Sequence, residues 1–168
     1  LTLTTLTITT NANRVEVNNT AVACVTVGNT TSFVDGNLRR YLLGTGSYNW
    51  PVGNVAKGYQ RVNTNFTSNA NTYIDARFDV WPFAEPVQGG GVECNVTYSL
   101  EAMDNGYWTM TATPNGAAIY NMTAYPTNVG NIRAGWTIMK RSAIAPMPGW
   151  LLDGTCDPSS TAAAVKRN

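Results

Sequence analysis

Asp75 and Asp79 stand on one face of "TYIDARFDVWPF", with Arg77 between them, and form the best local carboxylate pair in the chain. Two acids flanking a cleft hydrolyse glycosides when their environments push their protonation apart. Here the intervening arginine shares their face, so the trio neutralises itself and reads as a solvated charge stripe. The chain has no histidine. That removes the Ser-His-Asp and Cys-His arrangements and the commonest metal ligand together. Calcium could use the oxygen-rich turns at Asp35-Gly36-Asn37, Asp104-Asn105-Gly106 and Asp153-Gly154, yet none has the repeated acidic spacing of a dedicated loop. Asp and Asn favour such turns for backbone reasons alone. The chain is therefore expected to bind no cofactor and not to be an enzyme.

Sugar binding would need exposed aromatic faces beside polar groups. Tyr48, Trp50, Tyr59, Trp81, Tyr107, Tyr125 and Trp150 form the pool, and Trp50 and Trp150 lie next to Pro or Gly in expected loops. Trp50, Trp81 and Trp150 are the glycan-contact candidates, weighed against the general tendency of large aromatics to bury themselves. Sequons at Asn18, Asn29, Asn65, Asn95 and Asn121 follow from the high Asn and Thr content. They imply glycans only in a host with the eukaryotic machinery.

These residues must be positioned by strands. Only 12% of the 168 residues are charged, and Thr and Asn carry the polar surface instead. Thr suits pleated strands and Asn the turns between them. The net charge is +1 and the basic residues are scattered, with no stripe to track a phosphate backbone, so nucleic acid is not an expected partner. No run of 18 apolar residues exists to span a membrane. The start, "LTLTTLTITT", lacks the basic and apolar regions of a signal peptide, so either a signal has been removed or none was present.

Strands are expected at the N-terminal "LTLTTLTITT", kinked at Thr4-Thr5, and at "VEVNN", "TAVACVTV" and "TTSFVDGNLRRYLL", the last broken by a tight turn at Asp35-Gly36-Asn37. "GTGSYNWPVGN" reads as a loop. In "YQRVNTNFT" Val62, Thr64 and Phe66 share a face; in the next strand Ile74, Ala76, Phe78 and Val80 do. "GYWTMTATP" should turn Trp108, Met110 and Ala112 inward, and in "GWTIMKR" either Trp136 with Ile138 or Thr137 with Met139 should follow. The terminal "SSTAAAVKRN" reads as a short strand or frayed tail. Many short strands separated by Gly, Asn and Pro turns predict an all-β fold: an antiparallel β-sandwich, Ig-like or jelly-roll-like, with little or no helix. One domain over 1–168 is expected, with an internal boundary at 85–91, "EPVQGGG".

Cys94 and Cys156, each at an expected loop–strand junction, are expected to form a disulfide. On the chain-entropy account its closure contributes about 4 kcal/mol. Cys24, within "AVACVTV", reads as a core thiol. This cysteine usage points to an oxidising, extracellular setting.

"YNWPVGN", "ECNVTYSL", "DNGYWTMTATPNG", "YNMTAYPTN", "GWTIMKR" and "WLLDGTC", in that order, make the chain resemble a Thr/Asn-rich β-sandwich module of large secreted Bacteroidota cell-surface proteins. Cargo of the type IX secretion system is of this kind. The match spans nearly the whole chain, and the run from Cys94 to Cys156 is its most specific part. The resemblance implies a cell-surface or released protein with a structural or adhesive role, and it carries over no catalytic residue. Such modules normally sit in longer chains, and no sorting domain is visible here; a processed fragment or a self-associating subunit would explain that.

The N-terminal strand bears on self-association. An alternating edge segment can pair within its own sandwich or with another copy, in which case a head-to-tail contact builds filaments. Leu1, Leu3, Leu6 and Ile8 are the strand-exchange candidates. The leading expectation is an extracellular structural or adhesive module, with itself or other cell-surface proteins as partners. The alternative is a carbohydrate-binding module that uses loop aromatics on a polysaccharide.

Overall fold

The computed structural model describes residues 1–80, 90–93, 96–99, 106–127, 137–141, 154–155, 157 and 164–167. Its strands, in chain order, are β1 (Ile8–Val17), β2 (Val34–Tyr41), β3 (Gly46–Trp50), β4 (Val52–Asn54), β5 (Gly58–Tyr59), β6 (Arg61–Asn69), β7 (Tyr73–Val80), β8 (Gly90–Glu93), β9 (Val96–Ser99), β10 (Gly106–Thr113), β11 (Ala118–Tyr125) and β12 (Val165–Arg167). A 3-10 turn at Val22–Cys24 separates β1 from β2. The fold is an all-β sandwich of two packed sheets.

The first sheet runs β10-β7-β2-β4-β5, with β1 also paired to β2; the second runs β12-β11-β6-β3, and β8 and β9 form a separate hairpin. β2 is the hub of the first sheet. Leu38 faces Ala76 of β7 on one side and Val15 of β1 on the other, while Val34 lies between Val52 of β4 and Ile8. Antiparallel pairing dominates, but β1 and β4 both run parallel to β2. β10 and β11, which follow residues 85–91, pair with β7 and β6, which precede them, so both sheets draw strands from either side of that stretch.

Alternation along the strands builds the core. Val62, Thr64 and Phe66 of β6 are buried against Ile74 and Ala76 of β7, joined by Leu42, Tyr48 and Trp50. A second cluster gathers Leu3, Val17, Val25, Val34, Leu38, Val52 and Phe78. Trp108, Met110 and Ala112 turn inward as their spacing predicts, and Trp108 touches both clusters. Each fully buried Val, Leu or Phe contributes about 1.5–3 kcal/mol relative to exposure. Gln60, buried between the apolar side chains, donates to Lys57 O at 3.0 Å and Thr127 O at 2.8 Å and accepts from Thr127 N at 3.1 Å, whereas the buried Nε atoms of Arg40 and Arg61 have no hydrogen-bond partner among the described residues.

Several local expectations are corrected. "TAVACVTV" is not a strand but carries the 3-10 turn, and Cys24 within it is half-buried, its thiol donating to Asn19 O at 3.0 Å. "GTGSYNWPVGN" is not a loop; it supplies β3 and β4. No hairpin turn interrupts 35–37, because β2 runs straight through it. Gly36 instead accommodates a register shift in β1 between Thr9 and Arg14, at φ +119°, where a Cβ would collide with Thr10 Oγ1. The described part of "GWTIMKR", residues 137–141, forms no named strand. Trp136, Trp81, Trp150, Cys94 and Cys156 lie outside the described residues.

Candidate functional site

The outer face of the first sheet carries a row of charged side chains. Glu16, Arg39, Asp75 and Thr111 lie side by side across β1, β2, β7 and β10. Arg39 donates to Asp75 through Nε at 2.8 Å and Nη2 at 2.6 Å, and its guanidinium lies 3.8 Å from the centre of the Tyr73 ring. The hydrogen bond to Asp75 raises the Arg39 pKa above its ordinary value. Asp79 accepts from Arg77 Nε at 2.8 Å and from Thr109 Oγ1 at 2.5 Å. The sequence expectation joined both carboxylates through Arg77; the structure gives Asp75 its own partner from β2, which spacing along one strand could not reveal. Each carboxylate is held in an ion pair: Arg39–Asp75 ties β2 to β7, while Arg77–Asp79 lies within β7 and Asp79 reaches β10 through Thr109. Beside it is a shallow groove of about 500 Å³, lined by Ala12, Asn13, Arg14, Asn37 and Asp75.

Trp50 cannot offer a face to a glycan. It is 0% exposed, and its Nε1–H donates to Thr64 Oγ1 at 2.9 Å. Because β3 replaces the expected loop, the ring points between the sheets, and a neighbouring Pro was a misleading sign of exposure. Tyr48 is likewise buried, with its hydroxyl accepting from Leu43 N at 3.1 Å. Tyr59 donates its hydroxyl to Val27 O, and burial pushes its pKa up to about 12. Half-buried rings among the described residues include Tyr107, Tyr41 and Tyr73, the last two 5.3 Å apart, and Tyr125, whose face is covered by Arg61 at 3.6 Å.

No family model, curated protein or solved structure matches this chain. Fold and geometry therefore carry the functional reading.

Among the described residues, no group of three or more His, Cys, Asp or Glu side chains could hold a metal ion. Among the same residues, no helix is long and apolar enough to cross a membrane. Of the three oxygen-rich turns, Asp35-Gly36-Asn37 is strand, with Asn37 N donating to Thr10 Oγ1 at 2.9 Å. Asp104, Asn105 and Asp153 lie outside the described residues.

The strand-exchange candidates divide. Residues 1–7 are not a strand but a segment stitched onto residues 24–33: Leu1 N donates to Cys24 O at 2.5 Å, Thr26 N to Leu1 O at 3.1 Å, and Ser32 Oγ to Leu6 O at 3.0 Å. Leu3 is 6% exposed in the core, and Leu1 and Ile8 pack against it from partly buried positions. Leu6 is 76% exposed. The bend at Thr4-Thr5 resolves the phase slip in the sequence, sending Leu3 in and Leu6 out.

Sequence reasoning missed Arg40. It is 0% exposed, has no carboxylate partner among the described residues, and donates to Asn49 O at 2.7 Å, Val22 O at 3.1 Å and Ala21 O at 3.3 Å, with Cys24 Sγ at 3.5 Å. Burial lowers its pKa. Its signal was the phase of β2: once Val34 and Leu38 point inward, so must Arg40.

Proposed function

We propose that this chain is a non-enzymatic, extracellular structural or adhesive module that joins further copies of itself through residues 1–17, with Cys94 and Cys156 linked. The anatomy of that N-terminal limb carries the reading. Among the described residues β1 pairs with β2 alone, so it is a ten-residue edge strand. The limb brings Leu1, Leu3, Ile8, Val15 and Val17 to one core cluster, and exposed Asn18 and Asn19 lead out of it. Such a limb can leave its own sheet and fill the same place in a neighbour without breaking an interior strand. Head-to-tail repetition of that exchange yields an open filament.

Electron microscopy of the purified, unreduced protein tests this, repeated with a synthetic peptide of residues 1–17 in excess. Filaments or oligomers that shorten when the peptide caps them are expected. Dispersed monomers at high concentration would overturn the proposal.

A further inference from the structure

The outer face of the second sheet is built differently from that of the first. Ser47, Asn65 and Asn121 face one another across β3, β6 and β11, and Asn49, Asn63 and Thr123 form the adjacent row. Neighbouring side chains are about 4.8 Å apart across strands and about 6.8 Å apart along them. Asn63 joins the rows, donating from Nδ2 to Ser47 Oγ at 3.0 Å and to Asn49 Oδ1 at 3.1 Å. Asn65 and Asn121 are exposed, and neither carboxamide has a partner among the described residues. Among those residues no carboxylate stands on this face. Arg61, stacked on Tyr125, and Lys166, opposite Thr123, mark its margins.

Asparagine is depleted from strands because it favours turns. Four asparagines centred on a sheet face break that local rule, and such departures concentrate where a surface has work other than folding. Each carboxamide offers donors and an acceptor without charge. A flat array of this kind complements a chain of hydroxyl groups, which also donate and accept without charge. We infer that the Ser47-Asn49-Asn63-Asn65-Asn121-Thr123 face binds a neutral polysaccharide. This deepens the adhesive part of the proposed function by naming its ligand class, and it does not depend on limb exchange. Failure of limb exchange shows as monomers in micrographs; failure here shows as unhindered migration in the assay below.

Native electrophoresis through gels containing mannan, xylan or hydroxyethylcellulose tests it, with alginate as the acidic control. The protein should come from a host without N-glycosylation, since Asn65 and Asn121 both head sequons. At least one neutral gel should retard the protein, and Asn65→Ala/Asn121→Ala should weaken that retention at least tenfold. Both side chains are exposed, so the double variant should keep the wild-type melting temperature. Should it fail to fold, Asn121→Ser, which keeps a polar group but shortens it, is expected to weaken retention severalfold. Thr109→Ala/Thr111→Ala, on the other sheet, should leave it unchanged. The inference is overturned by free migration in every neutral gel, by retention equal in wild type and the asparagine variant, or by equal retardation in alginate.

Discussion

Trp50 and Thr64 meet inside the sandwich, the indole nitrogen donating to the hydroxyl at 2.9 Å between strands β3 and β6. The pair fixes the largest fully buried side chain among the described residues by a single polar contact. Thr64→Val keeps the shape but leaves the indole donor unsatisfied, at a cost of about 1–3 kcal/mol. Urea denaturation should show a lower midpoint with an unchanged slope. Any polysaccharide retention by the folded variant should be unaffected.

Arg40 holds the turn at Val22–Cys24 to β3 by donating to the carbonyls of Ala21, Val22 and Asn49. A lysine carries the charge but lacks the planar fork that spans three acceptors. Arg40→Lys should cost about 2–3 kcal/mol. Amide hydrogen exchange should accelerate first at residues 21–24.

Tyr59 makes stability fall in alkali. Burial raises its folded pKa from the ordinary 10.0 to about 12, so the folded state keeps its proton when the unfolded state has lost it. The contribution is complete below pH 10 and disappears as pH climbs through 12, and a two-unit shift corresponds to about 2.7 kcal/mol. Melting curves from pH 8 to 12 should show this loss. In Tyr59→Phe the curve should start about 1 kcal/mol lower, without the Val27 hydrogen bond, and should fall less steeply.

Gly36 is the position where the β1–β2 register shift leaves no room for a side chain. Gly36→Ala must both tolerate a positive φ and displace Thr10, breaking the Asn37 N to Thr10 Oγ1 bond. A loss of about 2 kcal/mol or more is expected in thermal melts.

Sheet class and most strand faces were legible because alternation is a local signal. Val62, Thr64 and Phe66 declare their shared side within five residues, and so do Trp108 and Met110. What failed was whatever depended on distant partners. Asp35-Gly36-Asn37 has the composition of a turn, but Thr10, far away in sequence, makes it a strand. Trp50 beside Pro51 suggests a loop until β6 pairs with it. The asparagine rows were invisible for the same reason: Asn65 and Asn121 are ordinary residues apart and become an array only through the β6–β11 register.

The parallel run of β1 along β2 also has a mechanical meaning. Once residues 1–7 have been drawn off residues 24–33, tension from the N-terminal side runs along β1, so its inter-strand bonds are sheared together instead of peeling open one at a time. Such a seam stays rigid under load and then yields abruptly, and single-molecule pulling from that end should record one tall rupture. Gly36→Ala, which disturbs the seam midway, should lower that peak.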